Sequence, residues 1–318
     1  MERGCPERFL ICPVCDSPLL RVAGRLGCPN RHSFRVAEEG YVDLRLSGGG
    51  AESCGGNAEI LSGPRGLSGG DFFAPLSRQI NTRVYQHLAD YVLSKNRPLD
   101  LCVLDAACGE GSLLGELKNY LDEQLQTERV EYLGVDASEG AVRRAAKRYA
   151  GVGWVAADLG ARVPVAPDSI QVLLNTFAPR HPVEFAGVMP RGALLIVVVP
   201  NPRHLTDLLA TLRLPNTAED EPRRVAAQCG DAFRLADVDT VEYDLTLDGE
   251  EAVELIETTV TRRRLREDAA PIRSAKHLRA RVGFDVLSFL RAGSWEDGRT
   301  LPEEGSAGNT FGHVRAPA

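Results

Sequence analysis

Apolar positions along the chain gather into seven short runs, and the stretches between them change to helical period. Leu101–Ala106, Glu131–Val135, Trp154–Ala157, Ile170–Leu174, Ala193–Val199, Val241–Leu247 and Val282–Phe289 read as strands. Behind the first, Leu113, Leu114, Leu117, Leu121 and Leu125 recur at helical spacing. A second helix is expected through Tyr149, others over Ser77–Leu93 and from Glu250 onward. Strands alternating with helices predict an α/β protein with a doubly wound, mostly parallel sheet.

The first strand runs into Asp105-Ala106-Ala107-Cys108-Gly109-Glu110-Gly111, a tight glycine turn that opens a helix. Such a turn leaves backbone N–H groups free beside a bound ligand, because no side chain blocks the approach. A nucleotide phosphate loop needs a Lys after the glycines, and none follows. A dinucleotide fingerprint needs a third glycine, which is absent. Asp105 at the strand end suits a cationic amino-acid portion better than a pyrophosphate, which points to S-adenosylmethionine. Asp136, ending the second strand, stands where such sheets bind a ribose diol, with Ser138 the better placed helix cap. Asp158, after the third strand, can accept from an adenine amino group or serve as a solvated turn residue. Asn175-Thr176-Phe177-Ala178-Pro179-Arg180 follows the fourth strand at the crevice where ligands of these sheets bind.

Ahead of this pattern, Cys12-Pro-Val-Cys15 and Cys28-Pro-Asn-Arg-His32 form two half-sites on turn residues. Three thiolates and an imidazole make a closed tetrahedral set for a structural zinc ion. Zinc removal is expected to unfold about the first 45 residues without touching the main sheet. Cys54, Cys102, Cys108 and Cys229 are assigned packing roles, and Cys5 lies outside the zinc spacing. Glycine is dense between Ser47 and Gly70, predicting a linker or flap. The expected divisions are a zinc module over 1–46, a linker over 47–70, the main domain over 71–293 and a disordered tail over 294–318.

Composition narrows the partners. No apolar run is long enough to span a bilayer and no cationic leader opens the chain, so a cytoplasmic protein without membrane association is expected. The net charge of −7 over 318 residues gives no global attraction to a polyanion. Only the segment Arg262, Arg263, Arg264, Arg266, Arg273, Lys276, Arg279 and Arg281 offers local positive charge, and a solvated helix face is the commoner meaning of such a run.

Together the cysteine knuckles, Glu39-Gly40-Tyr41-Val42-Asp43-Leu44, the Asp105–Gly111 turn, Val135-Asp136-Ala137-Ser138, Asn175–Arg180 and Pro202-Arg203-His204-Leu205 resemble the large-subunit ribosomal RNA guanine-N1 methyltransferases. The match runs over roughly residues 8 to 290. Some members of that family confer macrolide resistance in actinomycetes. The resemblance implies a class I S-adenosylmethionine-dependent methyltransferase domain with an N-terminal zinc ribbon. It further implies zinc ligands Cys12, Cys15, Cys28 and His32 and cofactor positions Asp105, Gly109, Gly111, Asp136 and Asp158. Departures gather on the acceptor side: Gly70-Asp71-Phe72-Phe73 replaces a Gly-His-Tyr element, and Glu257-Thr258-Thr259-Val260 a methionine-proline turn. Ala107 takes the place of a turn glycine.

The implied reaction is methylation of a guanine ring nitrogen in ribosomal RNA. Phe177 is a candidate platform for the base, Asn175 a candidate for orienting it, and His204 or Asp71 for accepting its proton. The alternative is a repurposed small-molecule N-methyltransferase acting on a guanidino or amino acceptor such as arginine. Asp71 and the acidic balance suit that alternative, and a homodimer is compatible with either. A third reading, a binding module that merely keeps the cofactor fold, is disfavoured by the intact acids at both strand ends.

Overall fold

The computed structural model describes residues 7–46, 71–95, 100–125, 129–160, 162–214, 220–260 and 269–292. The expected linker, the tail and the arginine run at 262–266 lie outside them. Four short strands come first: β1 (Leu20–Val22), β2 (Arg25–Gly27), β3 (Ser33–Val36) and β4 (Val42–Asp43). After a 3-10 turn at Asp71–Phe73 come α1 (Ala74–Lys95), β5 (Asp100–Ala106), α2 (Ser112–Gln124), β6 (Arg129–Asp136), α3 (Glu139–Arg148) and β7 (Gly153–Ala156). The chain continues through β8 (Val172–Thr176), α4 (Pro182–Val188), β9 (Leu194–Pro200), α5 (Thr206–Thr211) and α6 (Glu221–Cys229). It closes with β10 (Phe233–Leu247), α7 (Gly249–Thr259), α8 (Ala270–Arg273) and β11 (Leu278–Arg291).

Strands β7-β6-β5-β8-β9-β11-β10 lie side by side, parallel except for β11, which runs antiparallel to both β9 and β10. This is the class I methyltransferase-type sheet. β5, β8 and β9 carry the apolar runs Leu101–Leu104, Val172–Leu174 and Leu194–Val199, buried on both faces as in a parallel sheet with no side to water. Chain order reverses across β5, whose neighbours are β6 on one side and β8 on the other. The crevice at that reversal, outside the carboxyl ends of the strands, is where such sheets bind ligands.

The N-terminal strands join the main sheet. β4 pairs in parallel with β7, Val42 opposite Val155 and Asp43 opposite Ala156, and the ladder runs on through all eleven strands. Leu10 bridges Val165, and Leu10, Leu19, Leu26 and Leu44 share one apolar core with Leu104, Leu133 and Val155. Glu139, at the start of α3, ties the two parts together. It accepts from the Tyr41 hydroxyl at 2.5 Å, Arg35 at 2.9 Å and Arg45 at 2.5 Å. The Tyr41 hydrogen bond is the largest of the contacts that pull the Glu139 carboxyl down to about 2. The two C-terminal strands run longer than their apolar segments predict, because Phe233–Thr240 pairs as a polar edge strand against β11.

Candidate active site

The turn after β5 is held in shape by its own backbone. Ala107 and Cys108 donate N–H bonds to Val135 O at 2.8 and 3.1 Å, pinning the turn to β6. Ala107, Gly109 and Gly111 take positive φ values of 74°, 54° and 76°. A Cβ on Gly111 would come within 2.2 Å of the Trp154 indole, whereas one on Gly109 meets nothing within 4 Å. Gly111 is therefore required by packing, and Gly109 leaves a backbone cradle open to a ligand.

Asp136 closes the turn from the other side. One carboxylate oxygen accepts from Gly109 N and the other from Ser138 N, each at 2.8 Å. Ser138 caps α3 by accepting from Ala141 N at 3.3 Å. A carboxylate has about four acceptor sites, so two remain for a diol. Asp105 is buried beside it, with Oδ1 bound to nothing in the protein. Burial first, and the Asp136 charge second, push its carboxyl up to about 7. Burial also raises Asp136, against the two backbone bonds that lower it.

These groups line a cavity of about 130 Å³. Its wall continues through Glu110, Ser112, Thr176 and Phe177, and is completed by Phe73 from the 3-10 turn and Glu254 and Thr258 from α7. Thr176 Oγ1 is buried there with no protein partner. Phe73, Phe177 and Phe284 pack as a ring cluster, with centroids 4.9 to 6.1 Å apart. α7 is fixed at its start by a capping box. Asp248 accepts from Glu251 N at 2.9 Å, and Glu251 returns the bond to Asp248 N at 2.8 Å. Gly249 lets this start approach α8, where a Cβ would fall 2.2 Å from Ile272 O.

Sequence reasoning missed Phe73, Glu254 and Thr258 as cavity residues, and the three candidates for catalysis fare differently from them. Asn175 is buried and donates to Ala106 O at 3.4 Å and Pro179 O at 3.1 Å, behind the cavity wall. His204 is sealed in the core. Gly283 N donates to its Nδ1 at 3.3 Å, so the proton sits on Nε2, which donates to Thr259 Oγ1 at 2.6 Å. Burial drives its pKa down to about 3. The ring is a neutral structural group, 4.7 Å from Phe284, and the structure does not bring it to the cavity. Asp71 contributes its backbone to the 3-10 turn, and its side chain lies outside the described residues. Asp158 follows β7 at the carboxyl end of the sheet but is absent from the cavity wall, its Oδ1 accepting from Gly160 N at 2.8 Å.

In the N-terminal part the four ligand atoms of Cys12, Cys15, Cys28 and His32 lie within 4.8 Å of one another. Cys15 and Cys28 sulfurs are 3.6 Å apart, and His32 Nδ1 is 3.4 Å from the sulfurs of Cys12 and Cys28. Tetrahedral zinc, with bonds of about 2.3 Å to sulfur and about 2.0 Å to nitrogen, requires edges of about 3.6–3.8 Å. The donor set fits a structural zinc ion. The family model described as RlmA, N-terminal, a zinc ribbon, matches residues 10–45. A Micromonospora griseorubida protein named as a 23S rRNA guanine-N1 methyltransferase is 30% identical over 260 residues, 78% of this chain and 84% of the relative. The Streptomyces fradiae 23S rRNA (guanine(748)-N(1))-methyltransferase is 30% identical over 241 residues, 76% and 81% of the two chains.

The chain belongs to the 23S rRNA guanine-N1 methyltransferase family. It is an S-adenosylmethionine-dependent methyltransferase whose zinc ribbon offers three cysteines and one histidine. Among solved structures, the Bacillus subtilis YcgJ protein aligns over 66% of this chain and 100% of its own, at 14% identity and a TM-score of 0.40. Magnesium protoporphyrin IX methyltransferase from Synechocystis aligns over 70% and 82%, at 16% identity and a TM-score of 0.38. Among the described residues of the methyltransferase, no helix is long and apolar enough to cross a membrane. The cavity fits the cofactor: an unbound buried carboxylate oxygen on Asp105, a second acid at the next strand end and the open backbone of Gly109 stand together.

Proposed function

We propose that the enzyme methylates ring nitrogen N1 of a guanine in large-subunit ribosomal RNA. The observation that carries this reading is the 30% identity over 260 residues to a relative of that name, beside the zinc-ribbon match over residues 10–45. The division of labour follows the domains: residues 1–46 as the zinc module and 71–293 as the methyltransferase proper. Bound S-adenosylmethionine supplies an electrophilic methyl group on a sulfonium. Asp105 would hold the cationic amino-acid end and Asp136 the ribose hydroxyls, the Gly109–Gly111 backbone would leave room for the cofactor, and Asp158, outside the cavity wall, is the candidate for the adenine amino group. These residues act by alignment, which converts an encounter of two reactants into a near-unimolecular displacement. The base must leave its stack to reach the cavity, and Phe177, with Phe73 beside it, offers an aromatic face to receive it.

The test is transfer of labelled methyl from S-adenosylmethionine to unmodified 23S RNA, with the position read by reverse transcription, since N1 methylation blocks pairing and stops extension. A stop at one guanine is the expected result. One observation favours a second reading, a small guanidino acceptor: Asp105, Glu110, Asp136 and Glu254 line the cavity, and no Lys or Arg does among the described residues. Free arginine belongs in the same assay. Label in arginine and none in RNA would replace the first reading with the second. Salt separates them too, because RNA binding releases counterions and weakens steeply as salt rises.

A further inference from the structure

We propose that the zinc ribbon builds the adenosine half of the cofactor site, with Glu139 as a positioning residue, so that zinc and S-adenosylmethionine each tighten the other's binding. The inference deepens the reading of the site and rests on the assignment of Asp136 and Asp158 to the ribose and adenine of the cofactor.

The two halves of the site are supported differently. The turn assigned to the methionine portion is pinned from within the main sheet, where Ala107 and Cys108 donate to Val135 O. The two acids assigned to adenosine stand on segments that the ribbon touches at three places. The first is Glu139, three residues beyond Asp136. Asp136 accepts from Ser138 N at 2.8 Å and Ser138 caps α3. Glu139, the first residue of that helix, accepts from the Tyr41 hydroxyl and from the guanidinium groups of Arg35 and Arg45. Tyr41 is fully buried, so this contact is fixed on the ribbon side as well.

The second place is the strand ladder. Asp43 of β4 lies opposite Ala156 of β7, and Ala156 lies opposite Asp136 of β6, in one row across the sheet. Leu44 N donates to Ala156 O at 2.8 Å, and Ala157 N to Asp136 O at 3.0 Å. The third is the loop that leaves β7 through Ala157 and Asp158. Ile11 N donates to Pro164 O at 3.1 Å, and Ala166 N to Phe9 O at 2.8 Å. Arg162 pairs with Asp16, the residue after Cys15.

Ile11 and Asp16 flank the ligands Cys12 and Cys15, so the groups that hold the loop after β7 are next to the metal in the chain. A ribbon of this size depends on its metal for a fixed shape. With zinc bound, the Asp136 turn and the Asp158 loop have a firm backing before the cofactor arrives. Without it they must be ordered at the cofactor's expense, while the Asp105 turn keeps its own support. Coupling of this kind is reciprocal: whatever factor zinc adds to cofactor affinity, the cofactor adds to zinc affinity.

The experiment uses the intact protein. It measures calorimetric S-adenosylmethionine affinity with and without zinc, and zinc affinity against a chromophoric chelator with and without saturating S-adenosylmethionine. Zinc removal should weaken the cofactor by roughly 5–150-fold, and saturating cofactor should tighten zinc by the same factor. In the zinc-loaded protein Glu139→Ala should weaken the cofactor at least about fivefold. Glu139→Gln, which keeps an acceptor oxygen, should lose less, and Tyr41→Phe, a change on the ribbon alone, should weaken it in the same direction. Glu139→Ala should also shrink the coupling factor, which a merely structural loss would leave at its wild-type value. These variants carry the test if the zinc-free protein does not stay folded. Cofactor affinity within about twofold of wild type in the zinc-free protein and in Glu139→Ala, with binding abolished in Asp136→Ala, would overturn the proposal and leave the site reading intact. Undiminished affinity in Asp136→Ala removes both.

Discussion

Gly111→Ala is the sharpest probe of how the cofactor turn is built. Two costs add. The residue holds φ at 76°, a left-handed conformation that costs a residue with a Cβ about 1–2 kcal/mol. The new methyl would also stand 2.2 Å from Trp154 Cη2 and 2.8 Å from Cζ3. The indole has little room to retreat, because the same six-membered ring already fills the place where a Gly134 Cβ would lie, with Cζ3 at 2.2 Å, and its Nε1 donates to Tyr149 O at 3.1 Å. Forcing a methyl into such packing costs about 1–3 kcal/mol. The sum, roughly 2–5 kcal/mol, is a large part of the 5–15 kcal/mol typical of a whole domain. Gly109→Ala carries the first cost alone, since its φ is 54° and nothing lies within 4 Å. Urea titration at unchanged m value should therefore separate the two variants by about 1–3 kcal/mol. Calorimetry should show the reverse order for S-adenosylmethionine, with Gly109→Ala folded but weak in binding, because its methyl projects into the cavity. Trp154→Leu in the Gly111→Ala background should recover the steric part, a coupling of about 1–3 kcal/mol in the double-mutant cycle. Equal destabilisation by the two alanines, or a coupling near zero, would refute the account.

Further outcomes follow from the same geometry. Ala107 holds φ at 74°, so Ala107→Gly should remove about 1–2 kcal/mol of strain while losing about 0.4–1 kcal/mol through a freer unfolded chain. A small rise in melting temperature is expected, and a fall would show that the Ala107 methyl packs usefully. Asp105 has a folded pKa near 7, above its unfolded value. Its contribution to stability is therefore complete in acid and lost as pH rises towards 7, so Asp105→Asn should melt higher than wild type at pH 8 without ligand. For the same reason wild-type affinity for the cationic cofactor should fall roughly tenfold per unit below pH 7, and a flat profile in calorimetry would exclude Asp105 as the partner. Zinc removal should lower hydrogen-exchange protection in β7 as well as over residues 10–45, because β4 is its ladder neighbour. Unchanged protection at Gly153–Ala156 would mean that the ribbon is separable after all.

The parts of this fold legible in the sequence are those with a local cause. β5, β8 and β9 are buried over most of their length and so carry apolar runs, Leu101–Leu104, Val172–Leu174 and Leu194–Val199, whose length and composition reveal them. The glycine turn and the paired cysteines are legible because a positive φ or a metal site leaves few residue choices. β10 begins eight residues before its apolar segment, through Arg234, Asp237 and Asp239, whose partners are the backbone of β11 and the side chain of Arg83. Nothing local marks those residues as a strand. The same is true of β4, two residues long, whose parallel pairing with β7 decides whether the ribbon stands alone. Glu254 is illegible for a different reason. Glu251, Glu254 and Glu257 recur every three residues and read as one solvated stripe, and only tertiary packing buries the second and third of them.

That difference bears on how the site divides. The cofactor wall comes from one continuous turn whose shape is set by backbone hydrogen bonds to β6, so its sequence tolerates little change. The opposite wall is assembled from side chains of three separate elements: Phe73 in the 3-10 turn, Phe177 after β8, and Glu254 with Thr258 on α7. No one of them fixes the others through the backbone, so each can change while the cofactor turn stands. Phe177 is itself held by its neighbours. Its φ of 53° is costly for an aromatic residue, and such strain, of order 1–3 kcal/mol, persists only where packing enforces it. Phe73 at 5.9 Å and Phe284 at 4.9 Å supply that packing. The aromatic face is thus set in the protein itself, and on the proposed reading acceptor specificity would rest on which groups α7 and the 3-10 turn present around it.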